Sequence, residues 1–300
     1  MSLPVVPFEA ERGLDWLALT DALAHAHGLP KAQVSDSFLY RGRDTMLNRT
    51  AWIDGLGSLV KTATVFPGNN DRGLPAINGG VTLYSDETGV AEAMLDFHLV
   101  TKWKTAGDSL LAARRLARPD SRKILVLGAG TVAASLIEAY GAAFPDARFE
   151  IWNRTAERAI ALAERCGAFA IDDLPAAVGR ADIVTSATMS TAPILHGEWL
   201  QPGQHIDLIG AYRPDMREAD DAAMVRARVF VDSYDTTLEH IGELIEPLKS
   251  GAIGKADIVA DYYELSAFER APEDITLFKN GGGAHLDLMT SRYILDAWNG

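Results

Sequence analysis

One cysteine, Cys166, stands in a chain of 300 residues, so neither an internal disulfide nor a cysteine-based metal cage is available. A reducing compartment is the expected setting. Long hydrophobic runs are also missing: stretches such as Ile124 to Leu127 fall far short of the roughly 18 apolar residues that a membrane span requires. Positive charge is scarce, with 28 Lys and Arg against 41 Asp and Glu and a formal net charge of −13. Such a field repels phosphate polymers and anionic lipid surfaces, so neither nucleic acid nor a membrane is an expected partner. His25, His27, His98 and His196 show no metal spacing with acids or cysteine, and no metal is expected. The first residues, Met1 to Pro4 followed by Glu9, Glu11 and Arg12, lack a basic-then-apolar signal layout, which makes the cytoplasm the expected location. What remains is 48% hydrophobic and 23% charged, an ordinary globular composition able to bury one or two cores.

The charged run RRLARPDSRK, Arg114 to Lys123, offers no apolar face and marks a domain junction. Upstream, an early helix over about Leu14 to His27 precedes alternating stretches (FLYR, TMLNRTAW, LVKTATVF, GVTLYS) separated by Gly, Asn and Pro. These read as an antiparallel meander, followed by a helix over Ala91 to Ala117. Downstream, KILVLG, RFEIWN, AFAID, ADIVTSAT, HIDLIGA and RVFVDS alternate with helical segments, the grammar of a parallel sheet covered by helices. The expectation is an α/β chain. Residues 118–275 form a Rossmann-type doubly wound domain, and residues 1–117, completed by 276–300 with a last helix over Leu286 to Trp298, form an α+β domain.

Gly128-Ala129-Gly130-Thr131-Val132-Ala133 follows an apolar strand and opens a helix, which is G-x-G-x-x-A in the strand-turn-helix setting that a dinucleotide requires. The first glycine permits a tight turn and the second lets backbone approach a pyrophosphate. The helix start, with Thr131 and Val132, offers N–H groups to the anion. At the end of the next strand, where an acid usually holds the adenosine ribose, stand Asn153, Arg154 and Thr155. Without the acid a 2′-phosphate is not repelled, and Arg154 can grip it, so NADP(H) is favoured and NAD(H) possible. Arg154 as a solvated arginine and Thr155 as a plain N-cap are the bland alternatives. Ala187, Thr188 and Met189 follow the fourth strand, at the carboxyl edge where such folds bind ligands.

Lys61 lies in the apolar-flanked strand LVKTATVF, where burial would lower its pKa and suit proton transfer; an exposed edge-strand lysine is the alternative. Lys104 opens a small-residue stretch able to approach an anion, or is a solvated helix lysine. Arg49 is a further basic residue in the preceding strand.

The segments KTATVFPGN, LYSDETG, LVTKWKTAGDS, VLGAGTVA, IWNRT, ATMSTAPILHGEWLQPG, IGAYRPDMRE and TLFKNGGGAHLD together resemble the ornithine cyclodeaminase/mu-crystallin family along most of the chain. The resemblance implies a homodimer, with the first segment and the C-terminal helix forming a substrate and dimerisation domain. It also implies reversible hydride transfer between a nicotinamide and the alpha carbon of an amino or imino acid. IWNRT and GEW are most similar to the NADPH-linked mu-crystallin branch, which reduces cyclic ketimines. By position, Lys61 resembles the family lysine that contacts substrate and moves a proton. Lys104 stands where the family has a carboxylate-binding arginine, keeping the charge without the fork. Asn78 falls near a substrate-site threonine, and Arg49, Arg41 or Arg43 stands in for an N-terminal arginine. Tyr212 replaces the aspartate that assists ring closure in true cyclodeaminases, so redox chemistry alone is expected. Conversion of ornithine to proline and ammonia, and a non-catalytic NADPH-binding crystallin-like role, are the alternatives.

Overall fold

A computed structural model describes residues 3–300. The chain divides into two compact units, one comprising residues up to Lys104 together with Gly282–Gly300, the other Thr105–Gly281. In chain order the first unit holds β1 (Val5–Val6), α1 (Trp16–Ala26), β2 (Gln33–Arg41), β3 (Asp44–Ile53), β4 (Gly57–Val65), β5 (Ile77–Tyr84), β6 (Ala91–Asp96) and the start of α2 (Phe97–Leu116). Its sheet runs β1-β6-β5-β4-β3-β2, antiparallel from β2 to β6. The alternation of LVKTATVF thus becomes a central strand, not an edge.

The reading of Ala91 to Ala117 as one helix is corrected: Ala91–Asp96 is a strand, and the helix begins at Phe97. Ala93 and Leu95 alternate inward, and pairing with β5 and β1 outweighs the helix propensity of the segment. Asp96 then takes the Leu99 N–H at 2.8 Å and starts α2.

The second unit holds β7 (Lys123–Leu127), α3 (Thr131–Ala143), β8 (Arg148–Trp152), α4 (Ala156–Cys166), β9 (Phe169–Ala170), α5 (Leu174–Arg180), β10 (Ile183–Ser186), β11 (His205–Leu208), α6 (Asp221–Arg226), β12 (Arg228–Val231), α7 (Tyr234–Thr237), α8 (Gly242–Ser250), β13 (Ile258–Ala260) and β14 (Thr276–Lys279). All eight strands pair in parallel in the order β13-β12-β14-β11-β10-β7-β8-β9. The order reverses between β7 and β10, which fixes the switch point where such sheets bind ligands. Leu125, Leu127, Val184, Ile206, Leu208 and Leu277 build the core beneath it, each worth about 1.5–3 kcal/mol on full burial. Two strands, β13 and β14, went unassigned in the sequence reading, being only three and four residues long and without alternation. AFAID contributes only the two residues of β9.

The last helix, α9 (Ala284–Asn299), belongs to the first unit and packs on β3, β4 and α1. Among the described residues no helix is long and apolar enough to cross a membrane.

Candidate functional site

In the second unit the glycine turn follows β7 at the switch point. Gly128 has φ +105°, and a Cβ there would lie 2.6 Å from the Ala187 carbonyl oxygen, so only glycine fits. Its N–H donates to the Trp152 carbonyl at 2.8 Å, and the Ala187 N–H to the Leu127 carbonyl at 2.8 Å, knitting the turns after three adjacent strands. Gly130 is the N-cap of α3, makes no side-chain cap, and has open space where a Cβ would stand. The first N–H groups of α3, from Thr131 and Val132 onward, therefore open on a cradle free of side chain. That arrangement fits a dinucleotide pyrophosphate.

After β8, Asn153 donates its amide to the Thr155 carbonyl at 2.8 Å. Arg154 is exposed and forms no ion pair among the described residues, and Thr155 sits at the N-cap of α4 without a side-chain capping bond. No carboxylate stands among these three residues. Thr188 is partly buried, whereas Met189 is 67% and Tyr212 56% exposed, the latter under the Arg213 guanidinium.

The first unit gathers charge. Lys61 on β4 is 5% exposed, and its Nζ donates to Asp287 Oδ1 on α9 at 2.8 Å and to Thr101 Oγ1 on α2 at 2.9 Å, with the Phe97 ring 4.9 Å away. Arg49 lies directly across from Lys61 in the β3/β4 register, so the two share a sheet face. Its Nε and Nη2 fork onto Asp36, at 3.0–3.2 Å, and Nη1 donates to the Gly282 carbonyl at 2.8 Å. Lys104, 7% exposed, donates to the same carbonyl at 3.2 Å. Alternation puts Asn78, paired with Thr64, on the opposite face, where its amide donates to the Pro75 carbonyl. Asn78 therefore does not join Lys61, Arg49 and Lys104.

Lys61, Lys104 and Arg49 thus stand around Asp287, and Arg49 also pairs with Asp36. Burial lowers the Lys61 pKa to about 8; Lys104 and Arg49 push the same way, and Asp287 opposes. Burial alone would raise Asp287, but Lys61, Lys104 and Arg49 outweigh it and hold the carboxyl below its usual range. Asp287 is fully buried, and its Oδ2 has no hydrogen-bond partner among the described residues. The net excess of one positive charge beside an amine poised near neutrality can accept an anionic group and transfer a proton. Sequence reasoning assigned no role to Asp287 or Thr101; the available signal was an acid set among apolar neighbours in AHLDLM, a position that only a buried partner of opposite charge makes tolerable.

Residues 53–300 match the model of the ornithine cyclodeaminase/mu-crystallin family. The chain is 51% identical over 296 residues to a delta(1)-pyrroline-2-carboxylate reductase of Paracoccus denitrificans, covering 95% of this chain and 94% of that protein. It is 33% identical over 244 residues to the ketimine reductase mu-crystallin of Rattus norvegicus, covering 80% and 76%. The fold matches an archaeal alanine dehydrogenase dimer with bound NAD at a TM-score of 0.88 and 26% identity, covering 99% and 96% of the two chains. With the glycine cradle and the buried lysine in place and the match running through both units, the chain belongs to the ornithine cyclodeaminase/mu-crystallin family.

Proposed function

We propose that this protein is an NAD(P)H-dependent reductase of small imino acids, Δ1-pyrroline-2-carboxylate and its six-membered homologue among them, acting in reverse as an amino acid dehydrogenase. The observation that carries the reading is the cluster of Arg49, Lys61 and Lys104 around Asp287, with a nearly enclosed amine at its centre. The 51% identity to the Paracoccus reductase, over 95% of this chain and 94% of that protein, supports the same substrate class. In this reading the first unit binds substrate and the second binds the dinucleotide.

The nicotinamide, when bound, supplies the hydride that the imine carbon accepts. The protein's own residues do the rest. Lys104 holds the substrate carboxylate through its ammonium, a charge-assisted bond worth about 1.5–3 kcal/mol, and Arg49 adds its positive charge beside it. Lys61 gives a proton to the imine nitrogen as its carbon becomes tetrahedral, and takes one back in the oxidative direction. Asp287 and Thr101 orient the amine, and Asp287 keeps it protonated at neutral pH despite burial. Tyr212 offers no carboxylate for ring closure, which favours redox turnover over cyclodeamination.

NADP(H) is the favoured coenzyme in this proposal, because the end of β8 presents Asn153 and an exposed Arg154 instead of an acid. A homodimer is supported by the sheet face opposite Lys61, where Leu39, Met46, Trp52 and Met94 are exposed, a layer of apolar side chains that a second copy would cover. A reducing cytoplasm suits the lone, free Cys166.

The decisive experiment follows NADPH oxidation with Δ1-pyrroline-2-carboxylate for the wild type and for Lys61→Met. Turnover should fall by about 10² or more with cofactor affinity unchanged. Unaltered turnover removes Lys61 from the reaction, and wild-type protein that binds NADPH but reduces no cyclic or linear imino acid overturns the enzymatic reading.

A further inference from the structure

The second unit contains a buried carboxylate that the proposed reaction does not use. Glu218 is 0% exposed. Its Oε1 accepts from Ser186 Oγ at 2.6 Å and from both the N–H and the hydroxyl of Thr188 at 2.7 Å, while Oε2 accepts from the Gly210 N–H at 2.6 Å. Ser186 ends β10, and Thr188 lies two residues beyond it; Gly210 lies two residues beyond the end of β11. One side chain therefore ties together the turns that leave two neighbouring strands at the carboxyl edge of the sheet.

The tie is tight. A Cβ on Gly210 would stand 2.0 Å from the Thr188 carbonyl oxygen and 2.4 Å from its nitrogen. Glu218 is itself held from behind, because Glu243 accepts from the N–H groups of Glu218 and Ala219 at 2.8 and 2.9 Å. The fully buried Lys279 donates to the carbonyls of Leu208 and Asn280, bracing the same edge and supplying the nearby positive charge. Between Ser186 and Thr188 sits Ala187, whose carbonyl oxygen closes on the glycine turn at Gly128. Burying a carboxylate is costly, and four donors arranged around one such group in two turns is more than a helix or sheet needs for its own stability. Ordinary packing of this edge could be achieved with apolar side chains; what the carboxylate adds is a fixed spacing between the β10 and β11 turns, the first of which meets the β7 turn through Ala187.

We propose that Glu218 is a positioning residue for the dinucleotide, setting the turns at Ala187–Met189 and Ile209–Gly210 against the glycine cradle at Gly128–Gly130. Glu218 has no exposed surface and touches no ligand itself. The inference rests on the reading of this unit as a dinucleotide-binding domain.

The test titrates full-length protein with NADPH, and separately with NADH, by nucleotide fluorescence, with melting temperatures recorded with and without NADPH. Glu218→Gln presents N–H donors to a ring of donors, and Kd should rise about tenfold or more while kcat at saturating NADPH and the KM for the imino acid change little. Ser186→Ala removes one of the four bonds through a hydroxyl that is fully buried and out of a ligand's reach; its Kd should rise about threefold, and it decides the matter if Glu218→Gln does not fold. Val229→Ala, a core truncation in β12, is the stability control: its melting temperature should fall with Kd within twofold of wild type. If Glu218→Gln and Ser186→Ala keep wild-type Kd, or if Val229→Ala weakens binding as much as they do, Glu218 is merely structural. Wild type that binds neither nucleotide overturns the dinucleotide reading and this proposal together, whereas normal wild-type binding with unaltered variants overturns this proposal alone.

Discussion

The two units bury charge in opposite senses. In the first, Arg49, Lys61 and Lys104 outnumber Asp36 and Asp287, and the Gly282 carbonyl takes bonds from both Arg49 and Lys104. In the second, Asp207, Asp232, Glu218 and Glu243 surround Lys279, and the carboxylates are met by backbone N–H and hydroxyl groups of their own unit. Burial raises Asp207 to about 6 and Glu243 to about 7, the cost of placing acids away from water, and the hydroxyl and backbone donors offset part of it. In the proposed reading the excess of cations serves an anionic substrate, while the acids of the second unit, met by many donors, brace its strand ends.

After the loss expected for Lys61→Met, the largest effect breaks that contrast at Lys104. Lys104→Met should raise the KM for the imino acid by about 10- to 100-fold, the value of one charge-assisted bond to a carboxylate in a buried setting, and leave NADPH affinity intact. Initial rates at varied imino acid measure it, and an unchanged KM would mean that the cation excess has no substrate to serve. A smaller effect is expected in the second unit, where the proposed reader of a 2′-phosphate, Arg154, is an exposed and therefore screened side chain. Arg154→Ala should weaken NADPH by roughly tenfold and NADH little, and equal losses in parallel titrations would move the 2′-phosphate elsewhere.

The finest test concerns pH. Imine reduction needs Lys61 protonated, and its pKa lies at about 8 in the folded protein. The rate constant kcat/KM for reduction should hold steady below that value and fall as pH rises through it, whereas oxidation of the amino acid, which needs the neutral amine, should rise over the same interval. Asp287→Asn removes the carboxylate that favours the charged amine, so both limbs should move to lower pH. Limbs that stay in place in rate profiles of this variant would detach Asp287 from the titrating group.

Much of this was legible in the residues. The glycine turn needs only a strand, a turn and a helix in succession, and Gly128 to Ala133 took the geometry that its spacing implies. Lys61, Arg49 and Lys104 were each singled out, but alone each had a bland reading as a solvated cation. Register settled how they group: β3 and β4 pair so that Arg49 and Lys61 fall opposite one another, and the same alternation carries Asn78 to the far face. Ala91–Asp96 was misread because its residues favour helix, and only the neighbouring strands could pull it into the sheet. Asp287 and Glu218 both fell within quoted motifs, yet nothing local gave either a task.

The sequence by itself determined the family and the glycine turn after β7, and it singled out Lys61, since each depends on residues adjacent along the chain. The acidity of that amine was decided by tertiary structure alone. Asp287 lies 226 positions away from Lys61, and both the loss of water around a buried charge and its attraction to a partner depend on which distant segments the fold brings within a few ångströms.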